Sequence, residues 1–114
     1  MNDIKLEKSK AFAIRIIRLY QYLVDNKKEY ILSKQILRSG TSIGANIRES
    51  SRAQSKADFV SKCNIALKEA DETCYWLELL YETDYISKKE FDSIYNEAEE
   101  LVKILNSVVK TSKS

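Results

Sequence analysis

A chain of 114 residues with no proline, and with glycine only at positions 40 and 44, has almost nothing with which to turn. Sandwiches and barrels need a turn every 8–12 residues or so, built mainly from those two residue types. A composition that is 44% apolar is too hydrophobic for a disordered linker and has no collagen-like repeat. The fold class that remains is all-α. At this length the chain is expected to form one domain, residues 1–114, burying roughly 65% of its unfolded surface.

The apolar periodicity divides the chain into four helices, placed at about 8–24, 29–52, 55–83 and 87–109, with frayed tails over 1–7 and 110–114. Phe12, Ile16, Leu19 and Leu23 give the first helix a core face that Ala13, Ile17, Tyr20 and Val24 widen. Leu32, Ile36, Ile43 and Ile47 do the same for the second, with Gly40 among them. Two glycines one turn apart cost about 1 kcal/mol each relative to alanine in a helix interior. They mark either a break near Ser39-Gly40-Thr41-Ser42 or a close helix contact, and the contact is preferred because the middle of the third helix is also small. Phe59, Cys63, Ala66, Ala70, Thr73, Leu77 and Leu80 alternate by four and three without a slip, as do Phe91, Ile94, Ala98, Leu101, Leu105 and Val108. Ser55-Lys56-Ala57-Asp58 and Ser87-Lys88-Lys89-Glu90 read as capping boxes at the starts of the last two helices. Amphipathic helices with short connections predict an up-down-up-down antiparallel four-helix bundle.

The chain contains no histidine, so the commonest general base and metal ligand is missing. Cys63 and Cys74 lie roughly 16 Å apart on one helix, beyond disulfide reach, and read as free core thiols of a reducing compartment. No glycine-rich phosphate loop is present. Nothing resembles a signal peptide or a membrane span. The chain therefore reads as cytoplasmic and non-enzymatic, with no cofactor, metal or small-molecule substrate. Glu69 and Glu72 one turn apart do not make a di-iron site without a Glu-x-x-His partner.

Charge is unevenly shared. Residues 1–54 carry a net +6 and residues 55–114 a net −4, on a chain whose total is only +2. At 100° per residue, Lys34, Arg38, Arg48 and Arg52 cluster nearly opposite the core face of the second helix. That stripe suits phosphate binding and equally suits a solvated helix back. Arg15 and Arg18 are candidates to extend it. Gln35, Ser42, Asn46 and Glu49 occupy one flank, where polar groups beside an apolar seam are expected to form a structural network. Ile65, Glu69, Glu72, Trp76 and Leu79 form a second stripe on the third helix, where Trp76 either caps the core or anchors a subunit contact.

The stretch Gln35-Ile36-Leu37-Arg38-Ser39-Gly40-Thr41-Ser42-Ile43-Gly44-Ala45-Asn46-Ile47-Arg48-Glu49-Ser50 resembles the signature of a bacterial family of four-helix bundles, the proteins encoded within intervening sequences of 23S ribosomal RNA genes. Phe59, the Ala66–Glu69–Thr73 region and Tyr85-Ile86 are similar to its later helices, so the resemblance spans about residues 8–109. The chain departs at Ser50, where the family often has glycine, and at its two glycines. The resemblance implies a left-handed bundle assembled as a homopentamer with a central opening. It also implies kinship with diversity-generating retroelement accessory proteins, which bind nucleic acid through a basic surface. Two functions follow as expectations: a non-catalytic oligomer that binds RNA or DNA, or an adaptor oligomer that makes protein contacts alone.

Overall fold

The computed structural model describes residues 3–113 and holds four α-helices, α1 (Ile4–Asp25), α2 (Leu32–Ser50), α3 (Lys56–Glu82) and α4 (Lys88–Lys113). The described residues contain no strand. Two of the expected boundaries move outward. Asp3 accepts the Lys5 N–H at 2.9 Å and starts α1 there, so residues 4–7 are helical. At the other end α4 runs on through residues 110–113. Met1, Asn2 and Ser114, also placed in the frayed tails, lie outside the described residues.

The second helix is shorter than its pattern suggests, for a chemical reason. The Glu29 carboxylate turns back over the helix start and accepts the N–H groups of Ile31, Leu32 and Ser33 at 3.3, 3.0 and 2.7 Å. It is a cap outside α2, where the periodicity had counted it as the first helical residue. At the far end α2 stops at Ser50, which leaves Arg52 in the turn.

The later caps follow the sequence closely. Ser87 and Glu90 exchange hydrogen bonds at 3.2 Å each. Ser55 accepts from the Asp58 N–H at 3.1 Å, but Asp58 reaches past it to the Gln54 N–H at 3.2 Å. The turn after α3 is a Schellman motif. Tyr85 N–H donates to the Leu80 carbonyl and Asp84 N–H to that of Tyr81, with Asp84 left-handed at φ 68°.

Each helix packs only on its neighbours in a ring, α1–α2–α3–α4–α1, and α1 meets α4 least. Partner numbers fall along one helix as they rise along the other: Lys8 meets Glu100 and Arg15 meets Glu97, while Glu49 meets Lys62 and Arg38 meets Glu69. Ser9 with Gly44 and Ile16 with Gly40, and Glu78 with Tyr95 and Tyr81 with Phe91, run the same way across the other two seams. All neighbours are therefore antiparallel, as an up-down-up-down bundle requires. One apolar core runs through it, from Phe12, Ile16 and Leu23 through Ile36, Ile43 and Ile47 to Leu77, Leu80, Leu101 and Leu105. The expected face of α1 is too wide, since Ile17 is 40% exposed. At the end of α4, Val109 is more deeply buried than the expected Val108.

The glycines sit in unbroken helix, as a close contact, but their partner is α1 rather than α3. A Cβ on Gly40 would lie 2.7 and 2.8 Å from the Ile16 side chain, and one on Gly44 would lie 3.3 Å from Ser9 Oγ. On the α3 side it is Thr73 that meets Ser39, the two buried hydroxyls 2.9 Å apart. Small side chains on two sides of α2 thus let both neighbours approach it closely. None of the helices is long and apolar enough to cross a membrane.

Candidate nucleic-acid interface

Lys34 and Arg48 of α2 are both exposed and neither is in an ion pair among the described residues, Arg48 at the edge of the helix toward α1. Arg48 and Lys10 of α1 line a shallow groove of about 310 Å³ whose floor includes Ala13, Gly44 and Ala45. Its lining contains no carboxylate. Arg52, in the turn beyond, is exposed and also without an ion pair among the described residues. Cations that have no local partner keep their full charge for an external one.

The other three candidates do not join this surface. Arg38, at the edge of the stripe, swings over α3, where it donates to Glu69 at 2.8 Å and to Glu72. Both carboxylates lie within reach of its long side chain, and the helix projection could not show that. Arg15 is held by Glu97 at 2.5 Å and Ser93 at 3.1 Å on α4. Arg18 has no ion pair among the described residues, but it opens into the groove between α1 and α4 beside Ile14, Tyr22 and Glu90. One continuous basic face over α1 and α2 is therefore corrected to a shorter one, Lys34, Arg48 and Arg52 with Lys10. Lys10 escaped the sequence reading because it belongs to the surface only once α1 is docked beside Arg48; its signal was an outward cation near the glycine-lined contact.

The flank of α2 likewise does not form a buried network within the chain. Ser42 donates to the Arg38 carbonyl at 2.6 Å and Asn46 to that of Ser42 at 2.9 Å, both on their own helix. The Gln35 side chain is exposed with no hydrogen bond among the described residues, and Glu49 accepts from Lys62 at 3.0 Å. The organised part lies across the α2–α3 seam. The Trp76 indole donates to Glu72 at 2.9 Å, and Glu72 and Glu69 together hold Arg38. The Trp76 bond, with Arg38 adding to it against partial burial, holds the Glu72 carboxyl below its ordinary range. Trp76 is half-buried with Tyr75 tilted against it, and Ile65 on the same helix is 41% exposed.

The cysteines and Tyr95 are placed for packing. Both cysteines are buried, and burial pushes the Cys74 thiol up to about 12. The Tyr95 hydroxyl donates a hydrogen bond to Glu78 at 2.7 Å and its ring stacks on Phe91, which stacks in turn on Tyr81. Among the described residues no cluster of three or more His, Cys, Asp or Glu side chains could hold a metal ion.

The profile of the 23S rRNA-intervening sequence protein family matches residues 3–107. Among solved structures, the chain is similar to a protein of unknown function from the S23 ribosomal protein family of Bacteroides thetaiotaomicron VPI-5482. The two are 58% identical over 94% of this chain and 99% of that one, with a TM-score of 0.93. No curated protein matches it.

Proposed function

The chain belongs to the 23S rRNA-intervening sequence protein family, and on that footing we propose that it is a non-catalytic cytoplasmic homo-oligomer that binds RNA or DNA through the outer side of α2. One observation carries the reading. Lys34, Arg48 and Arg52 are exposed without ion pairs among the described residues and lie on or just beyond one helix, while Lys8, Arg15, Arg38 and Lys62 are each matched by an acid one helix away. Phosphate contacts of this kind position a nucleic acid without reading its sequence. A homopentamer, the assembly implied by the sequence resemblance, repeats the three cations on every subunit. Weak contacts then add into useful avidity wherever one strand can span two copies.

The subunit contact we assign to the α2–α3 face, with Gln35, Ser42, Asn46, Glu49, Ile65, Glu69, Glu72 and Trp76. A half-buried tryptophan with a rim of paired charges, and an exposed isoleucine three turns along the same helix, has the composition of an interface with a polar edge. The same face supports the second reading, an adaptor oligomer that makes protein contacts without nucleic acid.

Replacing Arg48 and Arg52 together with alanine separates the two. Under the nucleic-acid reading, binding to a generic RNA weakens while the light-scattering mass of the oligomer is unchanged. Loss of the oligomer instead would assign these arginines to subunit contacts, and a wild-type protein not retained on RNA at low salt would overturn the reading altogether.

A further inference from the structure

The connection between α1 and α2 carries two exposed apolar side chains beside cations without ion pairs among the described residues, and one of them, Ile31, is the most exposed large apolar side chain described. Tyr30 is 52% exposed and Ile31 is 74% exposed, although neither position needs an apolar residue to form the turn or the cap. Lys27, Lys28 and Lys34 lie within the same eight residues and make no ion pair among the described residues; Lys27 sits 6.0 Å from the Tyr22 ring. The left-handed backbone of Lys28, φ 54°, turns the chain there, and the Glu29 N–H closes it on the Leu23 carbonyl at 2.9 Å. Glu29 is the only acid in this stretch, and its carboxylate is occupied by three backbone N–H groups of the α2 start. What this stretch exposes is an aromatic ring, an aliphatic side chain and three lysines.

That combination has a defined chemistry. Unpaired bases stack on exposed aromatic rings whatever their sequence, while lysines hold the phosphates on either side. A duplex hides its base faces and offers only its phosphates to such a tip. We propose that the α1–α2 connection is a site for single-stranded nucleic acid, in which Tyr30 stacks on an unpaired base, Ile31 packs against the nucleotide, and Lys28 and Lys34 engage the flanking phosphates. This rests on the nucleic-acid reading above and adds to it a preference for unpaired strands. The site continues the surface of α2, because Lys34 belongs to both.

The test compares a labelled oligouridylate with a blunt RNA duplex of equal length, using fluorescence anisotropy. The proteins are wild type, Tyr30→Ala, Tyr30→Phe and the Arg48→Ala, Arg52→Ala double variant. Tyr30→Ala should weaken single-strand binding by about tenfold and leave duplex binding unchanged. Tyr30→Phe, which keeps the ring and loses the hydroxyl, should bind as wild type. Equal losses on both substrates, or no loss on either, would overturn the stacking site. If Tyr30→Ala instead lowers the oligomer mass, the tip is a subunit contact and the proposal is wrong. When the arginine double variant weakens both substrates and Tyr30→Ala affects neither, the α2 surface stands and only this site falls. A wild-type protein that binds neither substrate overturns both.

Discussion

At the level of single residues, the two glycines of α2 are not equivalent. Gly40 lies against the buried branched side chain of Ile16, and an added methyl would sit at 2.7 Å from Ile16 Cγ1. Overpacking of this kind costs about 1–3 kcal/mol, which exceeds the roughly 1 kcal/mol that alanine gains in helix propensity. Gly44 has only the 3.3 Å approach to Ser9 Oγ, with the Ser9 carbonyl at 3.4 Å. There a shift of a few tenths of an ångström is enough, and the propensity gain offsets it. Gly40→Ala should therefore lower the urea midpoint and Gly44→Ala should leave it nearly unchanged; equal effects of the two would contradict the assigned contact. The acid side of the stability profile also belongs to this scale. Glu72 is held below the ordinary carboxylate range, so its contribution is present above the unfolded value, near 4.5, and is lost as the pH falls through the lower folded value. Glu72→Gln should flatten the stability curve at that acid end and not above neutrality, as measured by thermal melts across pH. Cys63 and Cys74 should resist thiol reagents at pH 8 until the protein is unfolded, since both are buried and the Cys74 thiol lies near 12.

Helix by helix, most of the molecule was legible. The four-three alternation of Phe59 through Leu80 and the Ser87–Glu90 box place α3 and the start of α4 nearly to the residue, because both signals are local. The errors among the charged residues fall where a side chain leaves its own helix. Glu29 looks helical by spacing, yet it caps from outside, and Arg38 looks outward until two carboxylates on α3 come within its reach. Arg15 and Arg18 were read with the α2 stripe, but docking α4 beside them gives one a partner and turns both toward another groove. A single-helix projection carries no information about a neighbour's charges, so it finds the core more dependably than the surface. Two variants test the terminations. Glu29→Ala should cost about 1–2 kcal/mol through the lost cap. Asp84→Gly, at the left-handed position after α3, should instead add about 1 kcal/mol by relieving its positive φ. Chemical denaturation measures both, and a neutral Glu29→Ala would mean that water replaces the carboxylate without loss.

For the whole molecule, the charge asymmetry becomes spatial once the ring order is known. α1 and α2 are neighbours and share the carboxylate-free groove between Lys10 and Arg48, whereas Asp71, Glu78 and Glu99 line the groove between α3 and α4. The bundle is therefore basic on one side and acidic on the opposite one, a polarity that a net charge of +2 conceals. Such a molecule should orient toward a polyanion before touching it. If the α2–α3 face joins subunits, Trp76→Ala should lower the light-scattering mass toward the 13.2 kDa chain without unfolding it; an oligomer of unchanged mass would place the contact elsewhere. The central claim is that the free cations of α2 and the following turn bind phosphates. Its most direct measurement is the affinity for a generic duplex RNA over a series of salt concentrations. The four cations of the surface, Lys10, Lys34, Arg48 and Arg52, predict a log–log slope of about −4 for each subunit engaged, reduced by about two in the Arg48→Ala, Arg52→Ala variant. An affinity independent of salt, or a slope that the double variant leaves unchanged, would contradict it.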